Sequence, residues 1–463
     1  MAPLVLGIDS STQSTKALLV DAETGQVLEE RRASHPDGTE VDPRAWLRAV
    51  DEAAGPLLER ADALAVGGQQ HGMVLLDEAG EVVRPALLWN DTRSADAATA
   101  LIEEMGGPQA SVEEIGSLMV ASFTASKLRW VRDEEPENAQ RAAQVLLPHD
   151  FVSLHLAESG TAPFTDRGDA SGTGYYSTRE EAWKPELVEA ALGKNLELPR
   201  LPSAPNEVMA RTASGAAIAA GTGDNMGAAL GLSLGPGDVS VSIGTSGVCA
   251  MVSDARPGDA SGTVTGFADA TGRFLPMTTT INASRILEAG RALLGVSHDE
   301  MAELALASEP GARGVTLLPY FDGERTPNRP HARATLTGMS SSTTREDVAR
   351  AYVEALLCSL ADGITSLEER TGTAARRITL IGGGARSRAV QQLAPAIFGR
   401  EVTIAPDGEF VALGAARQAA WALAGTEEPP AWEISGSRVV TADATPEVLG
   451  AYRELKERTA DWS

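Results

Sequence analysis

Hydrophobic and polar positions in the first part of the chain follow the pattern of short strands joined by polar turns. Leu4 to Asp9, Thr15 to Asp21 and Gln26 to Arg31 are apolar or alternating runs. Residues 10–14 and 22–25 between them are rich in turn-forming types. The pattern therefore predicts an opening meander of three strands.

Helical periodicity follows this meander. Apolar residues recur near helical spacing from Trp46 to Leu58, and Pro56 is expected to kink or split the helix. Residues 63–66 then form a short apolar run, which predicts a buried strand, and the run leads into Gly67-Gly-Gln-Gln-His-Gly72. Open α/β sheets bind ligands at the carboxyl ends of their strands, so this polar segment is a candidate pocket edge.

The second half of the chain repeats the opening pattern. Residues 239–254 are again a strand, a small hydroxyl-rich turn and a strand, which suggests two α/β domains that each begin with a hairpin, although two segments alone are weak evidence of duplication. The first element predicted after this hairpin is a long helix that begins at a capping box, with Thr343 or Thr344 as its cap, and runs until Gly372. It is followed by a strand at 377–381, a helix from about 386 to 398, a strand at 401–404, a helix from about Val411, a loop from about 425 to 436 and a helix at 446–459.

Composition and charge narrow the class of protein. The 463 residues predict two to four domains, and 39 Lys and Arg against 64 Asp and Glu give a net charge of −25. Such a charge excludes broad contact with nucleic acid or an anionic membrane, because both need a dense positive face. Two cysteines in apolar stretches, with neither a signal peptide nor a membrane-spanning run, predict a cytoplasmic protein.

Three small-residue turns are candidates for anion binding, because backbone N–H groups in such turns can face a phosphate. They are Asp9-Ser-Ser-Thr12, Gly244-Thr-Ser-Gly247 and Gly382-Gly-Gly384, and none fits the Walker pattern. A single turn of this kind is usually only a tight connection. Three of them could hold a triphosphate.

Two carboxylates stand out. Asp9 follows an apolar strand and either caps the turn or holds Mg²⁺ against nucleotide phosphates. Asp224 lies in a stretch of small apolar residues, where burial of a charge without a role would be costly. A helix N-cap is the alternative for Asp224, and only its contacts can decide.

Taken together, the motifs resemble those of the FGGY carbohydrate kinases. The similarity extends from residue 4 to about residue 424, and both family signatures have counterparts, at 124–134 and 334–354. The motifs occur in the family's order: Asp9-Ser-Ser-Thr12, Gln69-Gln70-His71-Gly72, Leu88-Trp-Asn-Asp91, Gly223-Asp-Asn225, Gly244-Thr-Ser-Gly247 and Gly382-Gly-Gly-Ala-Arg386. The resemblance implies an α/β fold of two actin-like (ribonuclease H-like) ATPase domains with an interdomain cleft.

The resemblance also implies that different parts of the chain bind the sugar and the nucleotide. Residues 1–235 would form an N-terminal domain that binds the sugar and carries the base, residues 236–425 a nucleotide-binding domain, and residues 426–463 a tail with a terminal helix. The substrates would be a small-molecule sugar and ATP, with Mg²⁺ as cofactor. A homodimer is compatible with the resemblance, which leaves the oligomeric state open.

The family's site residues carry over to matching positions. Asp224 would be the general base that takes the proton of the sugar's C5 hydroxyl, and Asp9 would serve the metal. Substrate specificity would depend on Gln70, His71 and Asn225, since amide and imidazole groups can form hydrogen bonds with a neutral polyol. Trp89 would either line this region or belong to the core. The residues implied for the nucleotide are Thr12, Gly244, Thr245, Ser246, Gly383 and Gly384.

The activity implied by the resemblance is phosphorylation of D-xylulose to D-xylulose 5-phosphate by ATP. Glycerol kinases of the family carry an Arg-Glu pair where this chain has Gln70-His71, which argues against glycerol. The alternatives are a kinase for D-ribulose, L-xylulose or a pentitol, and a non-catalytic actin-like ATP-binding protein. One departure is Ser11, where the family's first phosphate turn usually has glycine. Lys127, although it lies in a signature, is expected to be structural.

Overall fold

The computed structural model describes residues 2–462 and divides into two units. Unit 1 consists of Met1–Leu234, Asp254–Leu275 and Gly408–Glu433, and unit 2 consists of Gly235–Ser253, Pro276–Asp407 and Ile434–Ser463. Residues 1 and 463, at the outer ends of the predicted first domain and tail, lie outside the described part of the chain.

The strands, in chain order, are β1 (Leu4–Ser10), β2 (Ser14–Asp21), β3 (Val27–Ser34), β4 (Glu40–Val41), β5 (Ala63–Gly68), β6 (Val74–Leu76), β7 (Ala86–Leu87), β8 (Gln144–Leu146), β9 (Tyr176–Ser177), β10 (Ala182–Trp183), β11 (Val208–Arg211), β12 (Ala217–Ala219), β13 (Thr222–Gly223), β14 (Asp238–Ile243), β15 (Gly247–Met251), β16 (Thr265–Ala268), β17 (Phe274–Thr280), β18 (Thr316–Leu318), β19 (Thr335–Thr337), β20 (Arg377–Ile381), β21 (Val402–Ile404) and β22 (Arg438–Val440). The helices are α1 (Arg44–Ala53), α2 (Gly55–Leu58), α3 (Ala95–Glu104), α4 (Pro108–Ile115), α5 (Thr124–Glu134), α6 (Pro136–Arg141), α7 (Pro148–Leu156), α8 (Arg167–Ala170), α9 (Pro185–Leu192), α10 (Asp224–Gly231), α11 (Ser284–Leu294), α12 (His298–Ala307), α13 (Arg345–Thr371), α14 (Arg388–Phe398), α15 (Phe410–Ala424) and α16 (Pro446–Arg458).

The main sheet of unit 1 has the strand order β11-β12-β5-β1-β2-β3, with β13 also paired to β5. The predicted opening meander is confirmed: β1, β2 and β3 pair antiparallel in sequence order. Strands β1, β12 and β13 all run parallel to β5. The carboxyl ends of β1, β5 and β13 therefore lie side by side at one edge of the sheet, which brings their following loops together.

Both faces of this sheet are covered. Leu6 and Ile8 of β1 belong to an apolar cluster that includes Trp46 of α1, while Val5 belongs to a second cluster with Ala412 and Ala416 of α15. Successive side chains of a strand point to opposite faces, so a fully buried run such as β1 requires a helical layer on each side.

The helix predicted around Pro56 is divided as expected. Helix α1 ends at Ala53, and Pro56 lies in the first turn of α2, where its missing N–H breaks no helical hydrogen bond.

Helices α10 and α15 pack closely through small residues. A Cβ atom added at Gly414 would lie 1.9 Å from the backbone oxygen of Gly227, well inside van der Waals contact. We expect Gly414→Ala to lower the free energy of unfolding by about 2 kcal/mol, because rigid backbone rather than a flexible side chain must move. Urea denaturation measures this change.

The matched control for this helix contact is Gly450→Ala. Gly450 is exposed in α16, and a Cβ there would meet nothing within 4 Å. Alanine is a better helix former than glycine, so this variant should be as stable as the wild type or slightly more so. Equal stability of the two variants would contradict the packing argument.

Unit 2 repeats the arrangement of an antiparallel hairpin followed by parallel strands. Its main sheet has the order β17-β15-β14-β20-β21-β22. The predicted hairpin is confirmed as the antiparallel pair β14 and β15, and β20 runs parallel to β14. One predicted boundary was wrong: residues 383–386 form a 3₁₀ turn, and α14 begins only at Arg388.

The long helix predicted after Thr344 is confirmed as α13. The Thr344 hydroxyl accepts the N–H of Asp347 while the Asp347 carboxylate accepts the N–H of Thr344, which completes the capping box. The helix ends before Gly372, whose positive φ closes its carboxyl end. Among residues 2–462, none of the helices combines the length and apolar character that crossing a bilayer requires.

Candidate active site

The loop after β5 carries the residues predicted to bind the sugar. Gln70 and His71 are both buried there, and no hydrogen-bond partner is found for the Gln70 Nε2 atom in the described part of the chain. A buried donor of this kind is normally satisfied by an ordered water or a ligand.

His71 is held in an unusual backbone conformation. Its φ of 67° lies in the left-handed region, which residues other than glycine seldom adopt. Its carbonyl accepts hydrogen bonds from Lys127 Nζ at 3.1 Å and Thr124 Oγ1 at 3.2 Å, and its ring Nδ1 donates to the Gly172 carbonyl at 2.8 Å. The ring also stacks on Phe123 with centroids 5.1 Å apart. This many fixed contacts can hold a strained residue in place, as is common at functional sites.

Asp224 and Asn225 lie next to Gln70. Asn225 Nδ2 donates to Gln70 Oε1 at 2.9 Å and to Asp224 Oδ1 at 2.7 Å, and the Asn225 N–H donates to the same carboxylate oxygen at 2.7 Å. Asp224 is the first residue of α10, and the N-cap is Gly223, so the alternative interpretation of Asp224 as an N-cap is wrong. The structure thus brings Gln70, Asp224 and Asn225 into one hydrogen-bonded group.

The surroundings of Asp224 change its acidity. Loss of hydration, together with the charges of Asp9 and Asp169, raises the pKa of its carboxyl to about 7, while the hydrogen bonds from Asn225 oppose the rise. A pKa close to neutrality suits a group that must take up a proton and later release it.

Asp9 lies at the end of β1, opposite Lys16 on β2. It is buried, and Lys16 Nζ is 3.3 Å from its Oδ2 atom and 2.6 Å from Glu409 Oε2. Burial raises the pKa of Asp9 to about 6, Lys16 opposes this rise and Glu409 adds to it.

The second carboxylate oxygen of Asp9 fits a metal ligand. Its Oδ1 atom is buried and has no hydrogen-bond partner among residues 2–462. The same residues contain no group of three or more His, Cys, Asp or Glu side chains that could hold an ion by themselves. Mg²⁺ is usually bound by one or two carboxylates together with substrate phosphates, so a single aspartate suits a nucleotide-dependent site.

The turn after β1 shows how Ser11 replaces the family's glycine. Its N–H and its hydroxyl both donate to the Ser14 carbonyl, at 3.1 and 2.9 Å, which closes the turn. Thr12 Oγ1 accepts a 2.9 Å bond from Trp89 Nε1. Trp89 is 44% exposed, so it lies at this turn and not in the core.

Unit 2 contains a cavity of about 510 Å³ at the ends of β14 and β20. Four of the predicted nucleotide residues line it: Gly244, Thr245, Gly383 and Gly384. The other lining residues are Ile243, Ser284, Leu287, Glu288, His298, Asp299, Ala302, Arg386, Ser387 and Arg388. Ser246 lies in the adjoining turn, where its carbonyl accepts the Gly244 N–H at 3.1 Å, and Thr12 belongs to unit 1.

Three helices begin at this cavity, since Ser284, His298 and Arg388 are the first residues of α11, α12 and α14. The amino terminus of a helix carries partial positive charge and unsatisfied N–H groups, which favour an anion. These three helix ends favour an anion in the cavity, and Glu288 and Asp299 in its lining oppose one.

Several residues of the site were not predicted. Gln69 is fully buried, and neither amide atom has a partner within the described residues. Lys127, expected to be only structural, reaches the carbonyl of His71 from the interior of α5. Arg388 follows the glycine turn and gave no signal, because one arginine among 34 is unremarkable.

The chain matches the two domains that define a known family. Residues 4–232 match the N-terminal domain, and residues 239–423 the C-terminal domain, of the FGGY family of carbohydrate kinases. The chain belongs to this family. Membership confirms the predicted family and the predicted class of enzyme, a sugar kinase, over a non-catalytic ATP-binding protein.

The sequences and structures most useful for comparison are those of xylulose kinases, which agree with this assignment. The chain is 44% identical to a xylulose kinase from Streptomyces coelicolor, over 92% of this chain and 89% of that protein, and 43% identical to one from Streptomyces rubiginosus, over 95% and 93%. The crystal structure of xylulose kinase from Bifidobacterium adolescentis superimposes with a TM-score of 0.92 at 46% identity, covering 98% of this chain and 99% of that one. This similarity confirms the predicted FGGY kinase fold with two actin-like domains.

Proposed function

We propose that this FGGY kinase transfers the γ-phosphoryl group of ATP to D-xylulose and forms D-xylulose 5-phosphate and ADP. The observation that carries the proposal is the 43–44% identity to two xylulose kinases over more than nine-tenths of the chain. The geometry of unit 1 supports it, since a buried amide donor, an imidazole and a carboxylate with a raised pKa lie around one loop.

We assign Asp224 as the general base. Its carboxylate takes the proton of the C5 hydroxyl while that oxygen forms a bond to the γ-phosphorus. The bond from the γ-phosphorus to the oxygen it shares with the β-phosphate breaks, and ADP leaves with that oxygen. Because Oδ1 already accepts two hydrogen bonds from Asn225, we assign Oδ2 as the atom that receives the proton.

We assign recognition of the sugar to Gln70, His71 and Asn225. The buried Nε2 atom of Gln70 is able to donate to a sugar hydroxyl, and Asn225 fixes the opposite end of that amide. A neutral polyol offers donors and acceptors but no charge, so amide and imidazole groups suit it better than a second ion pair would.

We assign the nucleotide to the unit 2 cavity. Gly244, Thr245, Gly383 and Gly384 would contact it there, with Ser246 completing the turn. Thr12, a residue of unit 1, is also assigned to the phosphates. Asp9 would hold Mg²⁺, directly or through water. The ion, when bound with ATP, neutralises charge on the phosphates.

The domain assignment and the location belong to the same proposal. Sugar binding and the base are assigned to residues 1–235, nucleotide binding to residues 236–425 and a terminal helix to residues 426–463. We also propose a cytoplasmic location, supported by Cys249 and Cys358, which are both buried thiols without a disulfide.

A substrate panel tests the proposal. Purified protein is assayed for ADP release with D-xylulose, D-ribulose, L-xylulose and pentitols, with ATP alone as the control, and the phosphorylated position is read by ³¹P NMR. We expect the highest kcat/KM with D-xylulose and phosphate on O5. A higher kcat/KM with another sugar would contradict the substrate assigned. ADP release that no sugar stimulates would contradict the kinase activity itself.

A further inference from the structure

A buried charged cluster in unit 1 is not used by the reaction as described above. His149, the second residue of α7, is completely buried. Its Nδ1 atom lies 2.8 Å from Asp169 Oδ2, and its Nε2 atom lies 3.1 Å from Asp150 Oδ1 and 3.6 Å from Asp166 Oδ1. One imidazole and three carboxylates without solvent form a costly arrangement, which calls for an explanation beyond stability.

The His149 side chain packs against two strand ends of the sugar site. A Cβ atom at Gly68 would lie 2.9 Å from the His149 Cβ, and one at Gly221 would lie 2.5 Å from its Cδ2. Gly68 ends β5, which leads to Gln70, and Gly221 precedes β13, which leads to Asp224. These two strand ends are paired in parallel. The imidazole itself lies against Gly221, whereas Gly68 lies against the Cβ and backbone of His149.

The Asp169 carboxylate connects His149 to the backbone of His71. It faces the His71 N–H, which lowers the pKa of Asp169 against the effect of its burial. Gly172, three residues further on, accepts the hydrogen bond from the His71 ring, and its own N–H donates to the Asp169 carbonyl at 2.9 Å. Residues 169–172 thus form hydrogen bonds with both the backbone and the ring of His71.

Charge balance explains why the group at this position is a histidine. Burial lowers the pKa of the His149 imidazole, but the charge of Asp150, and the hydrogen bond and charge of Asp169, raise it to about 10. Burial in turn raises the pKa of Asp150 to about 6 and that of Asp166 to about 7, while His149 lowers both. The carboxylates around His149 thus favour its protonated form, and loss of the imidazole would leave them buried without this partner.

We infer that His149 is a positioning residue for the sugar site: its imidazole, through Asp169 and Gly221, fixes the loop that carries Gln70 and His71 relative to Asp224. This inference rests on the proposed function for its kinetic consequences. Its structural content, that one buried side chain orders both segments, stands on the contacts alone.

The test compares His149→Gln with His149→Lys. In His149→Gln, we expect the KM for D-xylulose to rise about tenfold and kcat to fall about tenfold, since small displacements of positioned groups have effects of this size or larger. The KM for ATP should change less than about twofold, because the groups assigned to the nucleotide, apart from Thr12 and the metal-binding Asp9, belong to unit 2. His149→Lys, which keeps the charge, should recover much of the loss.

The matched control is His155→Gln. His155 lies on the same helix and pairs with a carboxylate, Asp51, at 2.8 Å, but it is exposed, whereas His149 is completely buried. Its kinetics should equal those of the wild type. A folded His149→Gln enzyme with an unchanged KM for D-xylulose, or with equal rises for both substrates, would overturn the inference.

Two further measurements keep the test decisive. If His149→Gln does not fold, Asp169→Asn takes its place, since it breaks the same connection with little change in shape. A wild-type KM for D-xylulose in that variant would overturn the inference. Hydrogen exchange of peptides covering residues 67–72 and 219–225 needs no sugar, and it should accelerate in His149→Gln but not in His155→Gln. Failure of the proposed function is thereby separated from failure of this inference.

Discussion

Replacing Asp224 with asparagine is expected to lower kcat by about 10³-fold, which corresponds to about 4 kcal/mol of transition-state stabilisation. Asparagine keeps the shape of the side chain and an oxygen that can accept the hydrogen bonds from Asn225, but it cannot take up the C5 hydroxyl proton. The KM values for D-xylulose and ATP should change little. Steady-state kinetics with thermal unfolding measured in parallel test the effect.

The pH profile checks the same assignment independently. Because the pKa of Asp224 is raised to about 7, the base is protonated and inactive below that pH. We expect kcat/KM for D-xylulose to rise about tenfold per pH unit up to pH ~7 and then to level off. A flat wild-type profile from pH 5 to 8 would contradict the assignment of Asp224.

The control for Asp224 is an aspartate at a similar place in a helix. Asp96 lies in the first turn of α3, is exposed and is assigned no role in the reaction. Asp96→Asn should retain wild-type kinetics, which would show that loss of a helix-terminal charge does not itself reduce kcat. An Asp224→Asn enzyme with a substantial part of the wild-type rate would show that another group is the base.

The second large effect is expected at Asp9. Asp9→Asn should lower kcat by about 10²-fold and raise the Mg²⁺ concentration for half-maximal rate at least about tenfold, because a neutral amide is a weaker ligand than a carboxylate. After burial, the charge of Asp9 makes the largest contribution to the raised pKa of Asp224. The midpoint of the pH profile should therefore move to lower pH in this variant.

Asp21→Asn provides the comparison for Asp9. Asp21 ends β2 much as Asp9 closes β1, and its carboxylate accepts only N–H and hydroxyl hydrogen bonds of the following turn, which asparagine can also accept. Its Mg²⁺ dependence should match that of the wild type. If Asp9→Asn kept the wild-type Mg²⁺ dependence, the carboxylate would not be a metal ligand and its role would reduce to pairing with Lys16.

Local patterns predicted much of the fold because the interactions responsible are local. The meander β1 to β3 follows from alternation and turn residues, and α13 follows from its capping box and helical period. The boundary of α14 was missed, since Gly383 and the residues after it first form a tighter 3₁₀ turn. Helix ends depend on a few weak hydrogen bonds and are the least predictable part of an element.

The candidate site was likewise only partly predictable from the sequence. The sequence was sufficient to predict Asp9, Gln70, His71, Asp224 and the glycine turns, because small residues and carboxylates at strand ends are typical of ligand sites in α/β sheets. The side chains that hold them could not. His149 and Asp169 are twenty residues apart in the sequence, and nothing in the sequence pairs them. Lys127 was expected to be structural, but its hydrogen bond to the His71 carbonyl depends on tertiary packing.

The sequence by itself determined the alternating elements, the strongly acidic net charge, and the order of motifs that identifies an FGGY kinase. Only the tertiary structure decided which groups are buried together. In the structure, residues 408–433 belong to unit 1, and α15 packs against β1. Three carboxylates surround His149. The physical reason is that burial and charge coupling depend on long-range packing, whereas periodicity and turn chemistry are properties of neighbouring residues.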